Sequence, residues 1–325
     1  MELSLYILQY QIWQDRSDSN NYVIIIFMKK LRYNLRKLII NNPFLAIKMR
    51  RRRSAYSQGY RNSKNDATTP LAIVIHVFYV DLLNEIFQYL DKLDVNFKLY
   101  VTTPFNCTEH VKNRLEEKQY KHVLLGVKNQ GRDIFPFLKI MPLVVEAKHE
   151  FVLKIHTKKS SHCSFGDEWR QDIFLKLLDK NLAKKTLQYF QKNLNIGMIA
   201  PQGYLLSNSI NYSNNEKNIA YILRELGTIE TVFSNLSFPA GSMFYARTAA
   251  LEPLINLHLH KEKFAIERGQ IDGTLAHAIE RGFGASVYLC GADLIDTSQY
   301  QKMNNKGYFS FVEEQKKIIM KRKPS

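Results

Sequence analysis

Cysteine is scarce in this chain: Cys107, Cys163 and Cys290 are the only three in 325 residues, widely spaced and odd in number. That excludes a disulfide framework or a zinc ribbon and fits a reducing cytosol. Glycine (14) and proline (9) are also few, which excludes a fibrous or low-complexity chain. No run approaches the ~18 consecutive apolar residues that a membrane-spanning helix needs. The usual nucleotide loops are missing, since neither G-x-x-x-x-G-K-[ST] nor G-x-G-x-x-G occurs. AGSM at 240–243 lacks the spacing of a G-x-S-x-G elbow. His156, His162 and Cys163 have loose metal-ligand spacing but no second pair completes a site, so no metal is expected.

What is present is enough apolar material for a core, 45% of the residues with 12% aromatic, so the bulk of the chain is not disordered. Base exceeds acid, 46 Lys+Arg against 30 Asp+Glu, for a net charge of +16. The excess is uneven: residues 1–70 hold 13 Lys+Arg against four acids. Within them, 29–49 alternate Lys and Arg with Leu31, Leu35, Leu38 and Ile39 at helical spacing, the pattern of a basic amphipathic helix on a membrane surface. Residues 54–70 are polar and end in Pro70, as a linker would. Met28 is an alternative natural start, with 1–27 then upstream sequence. The expected organisation is a basic leader and linker over 1–70, one domain over 71–300, and a basic tail over 301–325.

From Leu71 the pattern alternates. Continuous apolar runs at 71–79, 96–104, 122–129 and 150–158 read as strands buried on both faces. Between them 80–93, 107–120 and 135–147 carry apolar residues at helical spacing, with Thr108 a candidate cap and Pro136 in a first turn. Such β-α-β order predicts an α/β fold: a mostly parallel central sheet with helices on both faces, joined by right-handed crossovers. Ligands of such sheets bind at the carboxyl ends of the strands. There stand His76 and Tyr79, then Thr102 and Thr103, then Asn129, Gln130, Gly131, Arg132 and Asp133. The fourth strand ends with Lys154, His156, Lys158, Lys159 and His162. Gly131 permits close approach or positive φ, and the Arg132 fork suits phosphate. The shared expectation is an anionic ligand, most simply a nucleotide diphosphate.

Further on, 166–178 and 184–194 read as helices and 196–201 as a strand, while 203–235 is Asn-rich apart from a short helix at 219–226. Residues 238–257 read as a strand carrying Gly241 and leading into a helix. A late helix is expected to begin near Asp272, with Asp272 in its first turn and Ala276, Ile279 and Phe283 facing inward.

NQGRDIFPF at 129–137, KIHTKKS at 154–160, FPAGSMFYAR at 238–247 and QIDGTLAHAIER at 270–281, in this order and spacing, resemble the rhamnan synthesis F family over 71–296. That family implies a glycosyltransferase of bacterial surface polysaccharide and O-antigen assembly. The layout is also similar to inverting transferases of the GT-A type, with a Rossmann-like nucleotide half followed by an acceptor half. In those a D-x-D at the end of the fourth strand holds a divalent cation; here the place reads Lys154-Ile155-His156-Thr157-Lys158. The departure implies that the protein's own cations neutralise the leaving diphosphate, with no metal or other cofactor required. Asp272 matches the family's base, and Glu267 is its understudy. The resemblance implies dTDP-L-rhamnose as donor, bound by His76, Thr102, Thr103, Asn129, Gly131, Arg132, Asp133, Lys154, His156, Lys158 and Lys159. Gly241, Ser242 and His277 would face the acceptor, a lipid-linked glycan, on the cytoplasmic face of the membrane. Two alternatives stand beside this one: a catalytically silent glycan- or sugar-nucleotide-binding protein on the same fold, and a basic nucleic-acid-binding protein.

Overall fold

A computed structural model describes Arg53 and residues 70–157, 159, 166–209, 214–270 and 272–300. The expected leader and tail therefore lie outside the described residues, apart from Arg53 and Pro70, as do Lys158, His162 and Cys163.

The first half follows the apolar runs closely. Strands β1 (Leu71–His76), β2 (Phe97–Pro104), β3 (His122–Val127) and β4 (Phe151–His156) alternate with helices α1 (Leu83–Leu90), α2 (Thr108–Glu117) and α3 (Ile134–Glu146). Every residue of β1 and of β4 is buried, as expected of strands covered on both sides. Helices α4 (Gly166–Leu178) and α5 (Leu182–Lys192) lead to β5 (Ile196–Ala200). An excursion follows, holding β6 (Leu205–Ser207), α6 (Glu216–Leu226), α7 (Glu230–Phe233) and β7 (Ser237–Pro239). The chain closes with β8 (Phe244–Arg247), α8 (Glu252–Ile255), α9 (Leu275–Leu289) and β9 (Asp293–Asp296).

Seven strands form one sheet in the order β3-β2-β1-β4-β8-β5-β9, and β6 pairs with β7 in a separate ribbon. All neighbours in the large sheet are parallel except at β8, which runs antiparallel to both β4 and β5. The α/β expectation of a mostly parallel sheet with helices on both faces is met. Alternate residues serve alternate faces: Val74, Tyr100 and Val152 pack with Ile140, Ile222 and Phe283 of α3, α6 and α9. On the other face Ile73, Val101 and Leu153 pack with Ile86, Val111, Phe174 and Phe190 of α1, α2, α4 and α5. Among the described residues no helix is long and apolar enough to cross a membrane.

Two expectations about local structure change. Residues 238–247 are two strands, with Gly241 in the turn between β7 and β8, because Gly241 (φ +82°) and Ser242 (φ +50°) both take left-handed backbone that a strand cannot contain. The late helix begins at Leu275 rather than near Asp272. Thr274 caps it with extended backbone, so Asp272 stands just before the helix; Ala276, Ile279 and Phe283 are buried as expected.

Candidate functional site

The loop after β3 carries two consecutive residues in left-handed backbone, Gly131 at φ +70° and Arg132 at +54°. A Cβ on Gly131 would lie 2.6 Å from Phe135 Cβ and 2.7 Å from Phe264 Cδ1, so only glycine fits. Arg132 tolerates its conformation because its surroundings hold it there. Its amide donates to Glu267 Oε1 at 3.1 Å, and its guanidinium donates to the Gln270 carbonyl. Gln130 Nε2 donates to the carbonyls of Lys261 at 2.9 Å and Phe264 at 2.6 Å. The 129–133 loop is thereby latched to the 261–270 segment, although Arg132 and Glu267 are 135 positions apart.

Beneath the latch lies a buried ionic cluster. Asp133 occupies the position before α3, yet its carboxylate makes no helix cap. Its Oδ2 instead accepts from Lys154 Nζ and Ser242 Oγ, with His156 Nδ1 at 3.5 Å. Lys154 Nζ also donates to the Ser242 carbonyl and Oγ, both at 2.7 Å. Burial opposes charge on Asp133, but His156 and Lys154 outweigh it and hold the carboxyl well below the usual range. His76 borders the cluster, its Nδ1 3.0 Å from Thr102 Oγ1; burial pulls its pKa down to about 4, with Lys154 adding to the fall and Asp133 opposing it.

At the entry to α9, Asp272 Oδ1 accepts from Asn215 Nδ2 at 2.6 Å and from the Gly273 amide at 2.9 Å. Arg281 Nη2 reaches Oδ2 at 3.3 Å, and His277 Nδ1 stands 3.7 Å from Oδ1. His277 is the third residue of the helix and closes a capping box with Thr274. Its pKa also falls to about 4, first through burial and then through the charge of Arg132.

Several residues named from sequence take other places. Lys154 is not a rim cation facing solvent: it points into the interior, and its charge is spent on Asp133. Lys159 pairs at 2.6 Å with Asp81 and lies 4.9 Å from the Tyr79 ring centroid, so it belongs to the surface after β1. Thr102 and Thr103 are fully buried with their hydroxyls engaged, the latter donating to the Val77 carbonyl at 2.8 Å. Asn129 is exposed. Gly241 offers its amide to Glu280 Oε1 at 2.7 Å, and Ser242 is part of the Asp133 cluster. Arg132, Glu267, Asp272 and His277 do come together at the latch. Sequence reasoning missed Asn215, and it placed Gln130 at the end of the third strand without its part in the latch. An Asn before a helix reads as a cap, and Asn215 makes none; its side chain goes to Asp272 instead.

The two neutral imidazoles set a pH dependence. His76 and His277 have ordinary values of 6.5 and folded values of about 4, so between these limits the unfolded chain takes protons that the folded chain refuses. Stability therefore falls as pH drops from about 6.5 toward 4, by on the order of 3 kcal/mol per imidazole. Urea midpoints measured at pH 7, 6, 5 and 4.5 check this, and a flat profile contradicts it.

The rhamnan synthesis protein F profile matches residues 8–292. Two curated relatives, both named uncharacterized protein WxcX and from two strains of Xanthomonas campestris pv. campestris, are each 34% identical over 215 residues. That match covers 66% of this chain and 31% of theirs, so the chain spans about a third of the length of the curated relatives it matches. A solved 4-diphosphocytidyl-2C-methyl-D-erythritol synthase from Anaerococcus prevotii DSM 20548 aligns over 78% of this chain and 97% of its own, with 7% identity and a TM-score of 0.39. The profile match runs through all four motifs, including the two that the Arg132 latch joins, and the chain belongs to the rhamnan synthesis protein F family.

Proposed function

We propose that the chain is an inverting glycosyltransferase of GT-A type acting in surface-polysaccharide synthesis. Its donor would be a nucleoside diphosphate sugar, dTDP-L-rhamnose first among them, and its acceptor a lipid-linked glycan at the membrane face. The observation that carries this reading is the latch itself. It gathers the Arg132 loop and the Asp272 entry of α9 at the carboxyl ends of parallel strands, where sheets of this class take their ligands.

In this reading Asp272 accepts the proton of the acceptor hydroxyl, and the acceptor oxygen forms its bond to the anomeric carbon. The bond from that carbon to the diphosphate breaks, and its electron pair leaves with the diphosphate. Asn215 and Arg281 fix the direction of the carboxylate. Arg132 and Lys158 supply positive charge for the leaving group, while Lys154 works indirectly, by holding Asp133 and the loop that follows Gly131. A divalent cation is not required.

One observation favours a second reading, a sugar-nucleotide-binding protein without transfer: Asp272 already accepts from Asn215, Gly273 and Arg281. A single assay separates the two, following nucleoside diphosphate release from dTDP-L-rhamnose with membranes that supply the acceptor. Transfer is expected, and Asp272→Asn is expected to slow it by about 10²–10⁴. EDTA is expected to leave the rate unchanged. Wild-type protein that binds the donor but releases nothing supports the second reading. An Asn variant within threefold of wild type removes Asp272 as base, and a rate lost to EDTA and restored by Mg²⁺ or Mn²⁺ removes the metal-free mechanism.

A further inference from the structure

Among the described residues, two buried donors at the latch have no acceptor. Arg132 Nε and His277 Nε2 are both shielded from water, and neither has a hydrogen-bond partner among the described residues. They stand on the two motifs that the latch joins: Arg132 reaches the Gln270 carbonyl, and His277 lies 3.7 Å from Asp272. The His277 side chain is 9% exposed.

The tautomer of His277 follows from its cap. Thr274 accepts from the His277 amide through its hydroxyl oxygen, which frees the hydroxyl proton. That hydroxyl is 2.8 Å from Nδ1, and the Thr274 amide donates to the same nitrogen at 3.3 Å. A nitrogen that receives two donors carries no proton, so the single proton of the neutral ring is on Nε2. Burial and the nearby Arg132 charge keep the ring neutral. Arg132 Nε–H finds no acceptor within hydrogen-bond reach among the described residues; Glu267 Oε2, its ion-pair partner, is 3.8 Å away.

We propose that Arg132 and His277 form a two-donor cradle for a phosphate oxygen of a nucleoside diphosphate, Arg132 contributing charge and His277 a fixed neutral N–H. This rests on the transfer reading above and names the pair that meets its leaving group. A sugar hydroxyl fits less well, because its own proton would need an acceptor and both groups here are donors. A phosphate oxygen only accepts, and a guanidinium matches its geometry. As the anomeric bond breaks, negative charge grows on that oxygen, and two donors there would stabilise it.

Calorimetric titration of the full chain with dTDP, UDP, GDP, inorganic pyrophosphate and thymidine tests the pair. His277→Asn keeps an oxygen where Nδ1 accepts from Thr274 but leaves nothing at the place of Nε2. It is expected to weaken the best-bound nucleoside diphosphate, and pyrophosphate with it, about tenfold or more. Its thermal midpoint should stay close to wild type and its thymidine binding should not change. His277→Gln, whose amide reaches the place of Nε2, should restore most of the lost affinity. Arg132→Lys keeps the charge, lacks the Nε donor and should lose affinity likewise, which keeps the test decisive if a His277 variant does not fold. A folded Asn variant that binds within twofold of wild type, or a Gln variant no better than Asn, overturns the cradle and leaves the transfer reading to the Asp272 assay. Wild-type protein that binds neither a nucleoside diphosphate nor pyrophosphate overturns both.

Discussion

Replacing Lys154 by Met should cost about 3–5 kcal/mol of folding stability, far more than the loss of an exposed lysine. Lys154 sits inside β4 with its side chain 2% exposed, and it is the closest cation to the Asp133 carboxylate. It also satisfies the Ser242 carbonyl at 2.7 Å, and its ammonium lies 5.3 Å from the Phe137 ring centroid. Methionine fills similar volume but leaves a largely buried carboxylate without its closest counter-charge and a carbonyl without a donor. The cost lies in the orphaned partner, so removing the partner as well should recover much of it. Lys154→Met with Asp133→Asn is expected to be more stable than Lys154→Met alone by at least ~1 kcal/mol, a coupling read from urea unfolding of the full cycle. A single variant within 1 kcal/mol of wild type means the pair is not a buried ionic anchor.

Two glycines in α9 should respond to alanine with opposite signs. Alanine is the better helix former by about 1 kcal/mol, and propensity alone predicts a gain at both. At Gly282 the nearest atoms to an added Cβ are Ile222 Cγ2 at 3.5 Å and Leu254 Cδ2 at 3.8 Å, which is ordinary contact, so Gly282→Ala should stabilise by about 0.5–1 kcal/mol. At Gly284 the added Cβ would lie 2.0 Å from the Ser237 carbonyl oxygen, and the obstacle is backbone. The helix must then back away from β7, disturbing the packing of Phe283 against Phe137 and Phe244. Gly284→Ala should cost about 3 kcal/mol or more. Thermal melts of the two variants side by side decide it, and shifts of the same sign refute the close contact between α9 and β7.

How much of this was legible in the sequence depends on the kind of signal. The apolar runs around Ile73, Val101 and Leu153 announced strands because a parallel sheet covered on both faces makes every position apolar. The same logic held for Lys154, which went unread. It lies between Leu153 and Ile155 in such a run, so either face is interior, and a lysine there must find an acid. Asp133, in the neighbouring motif, was that acid. Counting Lys154 with Lys158 and Lys159 by proximity along the chain ignored the direction in which a strand sends its side chains. The start of α9 was misjudged because a capping box ordinarily shows Glu or Gln at its fourth place, and here His277 does that work. The latch could not be read at all. It depends on backbone carbonyls of Lys261, Phe264 and Gln270, and a carbonyl leaves no trace in the choice of amino acid.

The reversed direction of β8 has an effect on what can vary. Because β5 ends and β8 begins on the same margin of the sheet, the whole stretch from 201 to 243 leaves and returns on that side. Its helices and ribbon form a loop-in-loop module anchored at two neighbouring points, one of whose residues, Asn215, already reaches Asp272. Lengthening a loop within such a module leaves the β5–β8 register unaltered, and closing a longer loop costs only fractions of a kcal/mol to about 1 kcal/mol. The architecture therefore lets the outer loops of this insert vary while the Asp133–Lys154 anchor persists, so long as Ser242, at the insert's returning end, keeps its bonds to both.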